Sequence, residues 1–409
     1  MNAMPNYFYG WTIVGATFLI LFACFGVIYS FGAFFLVLGE EFGVGRAAVS
    51  SVFSYAVFAL FTSGALGGVI ADRTGPKKIM AAGVCAIVAG LLGAANATTL
   101  WQLNLCFTFG VGVGIGFVYI PAISTVQRWF IRRRGLASGF AVTGIGVGTL
   151  VMPIVAGVLL EFIHWRMVFE FMAVTVAMAG LIAVVLIEAD PQVRGLQPDG
   201  AALAPDETQL PTRNLNLKPI LRSRTFGQFY LAQAILSVPV FVPFVHLVPF
   251  AEDIGISRTQ AVSVLGLIGL GSTIGRFAVG ALADRIGRRH ALVIALLGIA
   301  LAYGIWLAAE YYAHLVIFAI WFGICYGAYV ALMPALLADY YVGPKLSSVI
   351  GIQYTASALG SIIGPVATGF VFDQYGSYTT ALIASGICAL LSFYLVLTLP
   401  TPVGGAGTP

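Results

Sequence analysis

The stretch GGVIADRTGPKK at residues 67–78 returns 212 positions later as VGALADRIGRRH at residues 279–290. Outside this stretch the same spacing holds, because EEFGVGR at 40–46 returns as EDIGISR at 252–258. A repeat at one fixed spacing predicts two structurally equivalent halves that descend from a duplicated unit. The fold of one half should therefore largely repeat that of the other.

The residues that separate these stretches are strongly apolar. Of the 409 residues 60% are hydrophobic and 9% are charged, with a mean hydropathy of +0.98, whereas a typical soluble domain carries about 25% charged residues. Twelve runs approach or exceed the roughly 20 residues that a helix needs to cross a bilayer, and they lack the alternation of barrel strands. We therefore predict an all-α membrane protein with twelve transmembrane helices in two six-helix, pseudo-symmetric halves. The predicted spans are 11–38, 47–70, 79–97, 101–127, 135–160, 167–187, 225–250, 259–282, 291–309, 314–338, 346–372 and 378–399.

A polar stretch divides the chain between the sixth and seventh spans. Residues 188–222 contain five prolines and nine charged residues, a composition typical of a linker. The sequence thus predicts an N-terminal six-helix bundle, a cytoplasmic linker, a C-terminal six-helix bundle and a flexible tail. Their predicted ranges are 1–187, 188–222, 223–399 and 400–409.

The basic residues predict the orientation in the membrane. With both termini in the cytoplasm, 16 of the 20 Lys and Arg residues lie in cytoplasmic segments and only Arg46, Arg166 and Arg258 lie outside, as the positive-inside rule requires. The net charge of +4 then reflects topology, and we expect no nucleic-acid partner. One basic residue, Arg276, belongs to neither side.

Arg276 lies inside the apolar eighth span, eight residues before Asp284 and so about 12 Å from the helix end. An ionised Arg at the bilayer centre costs at least about 2.5–3.5 kcal/mol. Its equivalent in the repeat is Gly64, so folding of a symmetric pair of halves does not require the charge. A planar guanidinium matches a carboxylate. We predict that Arg276 binds an anionic substrate; an Arg satisfied by carbonyls or a partner acid is the alternative.

The duplicated stretch follows the pattern G-x-x-x-D-R-x-G-x-[KR]-[KR]. It resembles the signature loop between helices 2 and 3 of the major facilitator superfamily. The resemblance implies a substrate site between the halves near the midplane and a cytoplasmic latch made by Asp72, Arg73, Asp284 and Arg285. The two Asp residues are then expected near the N-termini of helices 11 and 5, where a negative charge favours the helix dipole. A solvated charged turn is the alternative.

Two other stretches, YGW at 9–11 and WFIRRRGLASGFAVTGIGVG at 129–148, resemble the signature stretches of monocarboxylate transporters. The resemblance implies proton-linked symport of a small monocarboxylate anion such as L-lactate or pyruvate, by a monomeric unit in a bacterial inner membrane. This sequence departs from proton-coupled lactate carriers, which often have a Lys in helix 1 and an Asp four residues before the helix 8 Arg. Here those places hold the apolar stretch Phe31–Leu38 and Ser272, so the proton carrier stays open.

Four other residues are candidates for the substrate site. His246, inside the proline-rich seventh span, could bond a 2-hydroxyl or 2-keto oxygen and could carry a proton; a bond to a backbone carbonyl freed by proline is the alternative. Tyr119 in the fourth span and Tyr326 and Tyr329 in the tenth are on helices that face the central cavity if the family fold holds. Their phenols could orient a small acid, or they could simply pack.

Two functions other than symport are compatible with parts of the sequence. Exchange of oxalate against formate uses the same fold, but a dicarboxylate usually calls for a second cation, and no second Lys or Arg lies in mid-membrane. A membrane enzyme would need a catalytic constellation, and the sequence has no HExxH and no Gly-Lys dipeptide of a Walker loop. We therefore expect no enzymatic activity, no metal and no cofactor, whereas a receptor without transport stays open.

Overall fold

The computed structural model describes residues 8–131, 133–200, 217–341 and 346–400, apart from the side chains at 134, 200, 217, 280, 281, 284 and 346–348. Within this part of the chain, twelve helices are long and apolar enough to cross a membrane, and there is no β-strand. The prediction of an all-α protein with twelve spans is confirmed. The helices are α1 Gly10–Phe42, α2 Arg46–Thr74, α3 Pro76–Ala95, α4 Leu100–Trp129, α5 Arg134–Phe162, α6 Trp165–Leu186, α7 Arg224–Asp253, α8 Arg258–Ile286, α9 Arg288–Leu307, α10 Tyr312–Tyr340, α11 Leu346–Tyr375 and α12 Thr379–Leu397.

The two copies of the duplicated stretch turn the chain in the same way. Gly75 follows α2 with φ of 87°, and Gly287 follows α8 with φ of 86°. A residue with a side chain is strained at such angles, whereas glycine is not. Each glycine therefore lets the next helix start at once. We call the face that carries these two turns the motif face, and the other the opposite face.

Two helices are less regular than the apolar runs suggest. In α1 the segments Gly10–Tyr29 and Phe31–Phe42 are separated at Ser30, whose hydroxyl donates to the carbonyl of Gly26 at 2.6 Å. In α4 a π-helical segment, Cys106–Gly112, interrupts the α-helix. Such irregularities are frequent at functional sites, and hydropathy does not reveal them.

Glycines bring the helix backbones of the first half close together. In the run GVGVGIG at 110–116, Gly110 and Gly114 face α3, whereas Gly112 and Gly116 face α2. A Cβ atom on Gly112 would lie 2.3 Å from the carbonyl oxygen of Ala56. This is the small-x-x-x-small packing that membrane helices use.

The two halves meet along two helix pairs, α2 with α11 and α5 with α8. The repeat relates α2 to α8 and α5 to α11, so it exchanges one pair for the other. Near the opposite face α1 also meets α7, because a Cβ atom on Gly32 would lie 2.8 Å from the carbonyl oxygen of Phe244. The interface is thus pseudo-symmetric, with an additional contact that closes one end.

The polar stretch after α6 starts folded against the first half. Two 3₁₀ turns, Pro191–Arg194 and Pro198–Gly200, follow α6, and a short helix, Leu217–Leu221, precedes α7. Residues 201–216 and the predicted tail beyond residue 400 lie outside the described residues. The polar stretch lies between the end of α6 at Leu186 and the start of α7 at Arg224.

The contact at Gly112 leads to a prediction on stability. Gly112→Ala should lower the free energy of unfolding by about 1–3 kcal/mol, the usual cost of overpacking, because its methyl group would meet the backbone of α2. Gly304→Ala is the matched control, since no atom lies within 4 Å of its Cβ position and alanine favours helix by up to about 1 kcal/mol. Thermal unfolding in detergent compares the two, and equal stability would contradict the proposed packing.

Candidate substrate site

Arg276 is half-buried on α8 and reaches across to the other half of the protein. Its Nη1 donates to the carbonyl oxygen of Val142 on α5 at 2.9 Å. Its Nε is buried with no hydrogen-bond partner among the described residues, and none of the described ion pairs involves this guanidinium. A backbone carbonyl therefore satisfies one nitrogen of Arg276 and leaves another unpaired.

Four phenols interact electrostatically with the Arg276 guanidinium, two from each half. They belong to Tyr29 on α1, Tyr119 on α4, Tyr326 on α10 and Tyr354 on α11. Tyr119 and Tyr326 were expected from the sequence. The sequence analysis missed Tyr29 and Tyr354. Tyr29 directly precedes the break in α1 at Ser30, and this break is visible only in the structure.

The hydroxyls of Tyr29 and Tyr326 lie 3.1 Å apart, within hydrogen-bonding distance. Since Tyr29 belongs to α1 and Tyr326 to α10, this bond joins the two halves beside Arg276. Tyr29 also stacks on Phe244 of α7, with ring centroids 4.3 Å apart. The site is therefore covered by aromatic side chains on the side of the opposite face.

Tyr329 is buried but lies differently from the other candidates. Its hydroxyl interacts with Ser237 of α7 and Ser357 of α11, and its phenol interacts with Tyr326. The structure thus places Tyr329 behind Tyr326, within the second half. It is a neighbour of the phenols around Arg276, and Arg276 is not among its described partners.

The structure does not bring His246 to Arg276. The ring is fully buried, with Nε2 at 2.8 Å from the carbonyl oxygen of Pro365 and 3.1 Å from the hydroxyl of Ser50. Its Nδ1 lies 3.2 Å from the hydroxyl of Tyr378. His246 therefore contacts α2, α11 and the start of α12, and a backbone carbonyl is among its partners, as the alternative interpretation required.

The residues of the predicted latch are exposed at the motif face. Asp72 pairs with Arg128 of α4 at 3.3 Å, inside its own half, and 74% of its side chain is exposed. Arg73 and Arg285 are also exposed, and the side chain of Asp284 lies outside the described residues. The expected contact of Asp72 is with the start of α11, where residues 342–345 and the side chains of 346–348 lie outside the described residues, so this contact stays a prediction.

The first signature stretch and the start of the second fold together at the motif face, whereas Val142, further along the second stretch, accepts the hydrogen bond from Arg276. The hydroxyl of Tyr9 donates to the carbonyl of Leu186 at 2.8 Å, and Trp129 donates to that of Glu188 at 3.0 Å. The rings of Trp11 and Phe130 are 5.1 Å apart. These aromatic residues therefore hold the start of α1, the end of α4 and the stretch after α6 together.

The profile described as Major Facilitator Superfamily matches residues 17–249 and 229–409. The chain belongs to the major facilitator superfamily. Membership of this superfamily makes the chain a transporter.

Several relatives within the superfamily align with nearly the whole chain. Monocarboxylate transporter 13 of Rattus norvegicus is 25% identical over 404 residues, covering 97% of this chain and 90% of the relative. Monocarboxylate transporter 3 of the same species is 29% identical over 390 residues, covering 93% and 78%. MFS-type transporter 1 of Ophiocordyceps sp. (strain BCC 1869) is 26% identical over 402 residues, covering 97% and 86%.

The bond between Tyr29 and Tyr326 can be tested by a double-mutant cycle. Tyr29→Phe and Tyr326→Phe should each lower the stability of the substrate-free protein by about 0.5–1.5 kcal/mol, the net worth of one hydrogen bond. The double variant should cost little more than either single one, because the bond is already lost. Thermal unfolding measures all three, with the exposed Tyr394→Phe as control; fully additive losses would contradict the bond.

Proposed function

We propose that this protein is a proton-coupled symporter of small monocarboxylates such as L-lactate or pyruvate, which works by alternating access. The observation that carries the proposal is the buried Nε of Arg276, which has no partner among the described residues. An unpaired buried N–H of a cation is costly, and an anion that binds there removes this cost. Arg276 is therefore the proposed binding group for the substrate carboxylate.

The geometry of the guanidinium favours one way of binding. The bond to Val142 occupies Nη1, which leaves the edge formed by Nε and Nη2 for a bidentate carboxylate. Phenols from both halves interact with this guanidinium, and the hydroxyls of Tyr119 and Tyr326 can bond a 2-hydroxyl or 2-keto oxygen. Tyr329 supports Tyr326 from behind. The names of the animal relatives, monocarboxylate transporters, support the same substrate class.

The proposal places the motif face in the cytoplasm, together with both chain termini, because this face carries most of the basic residues. A bacterial inner membrane and a monomeric functional unit stay predictions, which rest on the resemblance stated above. The described ion pairs of the motif face are Asp72 with Arg128, Arg128 with Asp190, Arg194 with Glu188, and Arg288 with Asp339, and none of them joins the two halves. On the opposite face, by contrast, Arg46 of the first half binds Asp253 of the second. This difference supports a conformation that is closed at the opposite face.

The latch of the superfamily fits this arrangement. We propose that Asp72, Arg73, Asp284 and Arg285 bind across the motif face only when the halves rock to the other state. In that state Asp72 would exchange its partner Arg128 for the start of α11, where the helix dipole favours a carboxylate. Asp72 and Arg73 are exposed in the present conformation, and an exposed ion pair such as that of Asp72 with Arg128 is exchanged at little cost.

The role of Arg276 is tested by substitution. Arg276→Gln should lower kcat/KM for lactate uptake into proteoliposomes at least 30-fold, because removing one partner of a buried charged hydrogen bond costs about 2–5 kcal/mol. Arg224→Gln is the control, since Arg224 is exposed at the start of α7 and should leave uptake unchanged. Undiminished uptake by a folded Arg276→Gln variant would rule out the assignment.

Symport and exchange make opposite predictions for empty vesicles. A proton symporter should accumulate lactate in lactate-free proteoliposomes when the outside is made acidic, and a protonophore should abolish the accumulation. An obligate oxalate/formate exchanger would move nothing until the vesicles contain a counter-anion. The exchange alternative is less favoured, because Arg276 is the only Lys or Arg among the described residues that lies far from a helix end. A dicarboxylate would leave one of its two charges unpaired there.

A further inference from the structure

The opposite face is closed by a clamp of five residues centred on Arg46, the first residue of α2. The guanidinium binds both carboxylate oxygens of Asp253 at 2.7 Å and donates to the hydroxyl of Tyr378 at 2.5 Å. It also lies 3.7 Å from the ring centroid of Phe372. Arg46 belongs to the first half and its partners to the second. We call Arg46, Asp253, Phe372, Asp373 and Tyr378 the Arg46 clamp.

The backbone at the start of α2 belongs to the same clamp. The carboxylate of Asp373 accepts hydrogen bonds from the amides of Arg46 at 2.8 Å and Ala47 at 2.9 Å. An acidic residue at the end of α11 thus caps the N-terminus of a helix in the other half, where both free amides and the helix dipole favour a negative charge. A Cβ atom on Gly45 would lie 2.6 Å from this carboxylate, so the contact depends on glycine.

The repeat shows that the guanidinium bridge is specific to one side of the interface. The counterpart of Asp373 is Glu161, which accepts a hydrogen bond from Thr259 across the halves. The counterpart of Arg46 is Arg258, but its guanidinium binds Glu252 at 3.3 Å within its own half. In both copies an acidic residue thus contacts the start of a helix in the other half, through backbone amides at Asp373 and through the Thr259 hydroxyl at Glu161. The charged bridge between halves is found, among the described ion pairs, only at Arg46.

His246 is bonded to this clamp in a way that defines its protonation. Because the Pro365 carbonyl can only accept, the ring nitrogen Nε2, at 2.8 Å from it, must carry the hydrogen. In the neutral ring Nδ1 is then an acceptor, and it receives the hydrogen of the Tyr378 hydroxyl at 3.2 Å. The Tyr378 oxygen in turn accepts from Arg46. The donors run in one direction, from Arg46 through Tyr378 and His246 to Pro365.

A second proton on His246 would break this order. An N–H at Nδ1 would face the Tyr378 oxygen, so the hydroxyl hydrogen would have to turn away from the only acceptor found for it among the described residues. The same oxygen would then lie between two cations, imidazolium and guanidinium, which repel each other in a site of low dielectric. Burial raises the pKa of the Tyr378 phenol above its ordinary value, so this group stays neutral and does not neutralise either charge.

We propose that the Arg46 clamp is a proton-sensitive lock on the opposite face, in which a proton on Nδ1 of His246 opens the lock. The proton comes from the solution on that side when the face opens and returns to it when the clamp closes. Acid therefore favours the open state, and neutral or alkaline pH favours the closed one. The lock is a property of the empty protein, and so it goes beyond the proposed transport and does not depend on the substrate.

The charged and titratable groups around His246 determine which of them responds to pH in the lock. Ser50 and the Arg46 guanidinium approach His246 from α2, the Pro365 carbonyl from α11 and the Tyr378 hydroxyl from the residue before α12. The clamp also holds the carboxylates of Asp253 on α7 and Asp373 on α11. Arg46 already engages Asp253 with its side chain and Asp373 with its amide. A carboxylate titrates near pH 4 and a histidine near 6.5 when unperturbed, so a response between about pH 8 and about pH 5 points to His246.

Distance measurements between spin labels test the lock without substrate. Labels on Asn96→Cys and Ala308→Cys, equivalent exposed positions after α3 and α9, report the separation of the two halves in a variant whose five native cysteines are replaced. Lowering the pH from about 8 to about 5 should increase the population with the long distance relative to the population with the short distance. Because one proton is linked to opening, this population ratio should change by at most tenfold per pH unit.

Two variants separate the lock from other effects of acid. In His246→Gln the side-chain amide can still donate to Pro365 and accept from Tyr378, so the short distance should persist at every pH. In Tyr378→Phe the link to Arg46 is lost, and the long distance should be populated at every pH with a weaker pH response. Tyr375→Phe, whose side chain is 76% exposed, should behave as the parent protein.

A full pH response in His246→Gln, or none in the parent protein, would overturn the proposal. Thermal unfolding shows which variants are folded, and if His246→Gln is not, the pH response of Tyr378→Phe decides. Because the readout is a distance in the empty protein, failure of the lock and failure of lactate transport are independent results.

Discussion

A guanidinium inside an apolar helix bundle must find partners for its N–H groups, and this requirement organises the centre of the molecule. The bond from Arg276 to the carbonyl of Val142 is available although that carbonyl lies in a helix, because a carbonyl oxygen has two lone pairs. The phenols around the charge are dipoles that interact with it without neutralising it. The charge is thereby held in position without a carboxylate partner among the described ion pairs, which is the arrangement expected of a site that an anion completes.

Arg276 has no charged counterpart in the first half, although the helix scaffold is repeated in both halves. Close glycine contacts recur through both halves, and both motif turns have the same backbone angles. Yet Arg276 is matched by Gly64, and His246 by Phe34. A symmetric scaffold lets the two halves rock about a common interface, whereas a small solute has no such symmetry. Arg276 and His246 can therefore lie in one half only, while the rocking motion involves both halves.

The twelve helices and the two halves could be predicted from the sequence, because hydropathy depends on neighbouring residues only and the repeat is visible in the residues themselves. The sequence also singled out Arg276 as a candidate, since a charge in an apolar run stands out without any knowledge of its neighbours. Tyr29 and Tyr354 could not be found in this way, because their importance arises from which helices pack together. The same limit applies to His246: its depth in α7 was readable, but its contact with Tyr378, 132 residues away, was not. Arg46 and Asp253 lie 207 residues apart, and each alone looks like an ordinary charge at a helix end.

The cover over Arg276 and the lock at the opposite face are linked through one helix. Phe244, which stacks on Tyr29 above the site, and His246, which bonds Tyr378, are two residues apart on α7. Pro239, Pro243 and Pro249 flank them, and each proline removes a backbone hydrogen bond that would otherwise stiffen the helix. A segment weakened at both ends can move as a unit. Displacement of α7 that frees His246 from Tyr378 therefore also displaces Phe244 from Tyr29, so unlocking the face and uncovering the guanidinium are parts of the same motion.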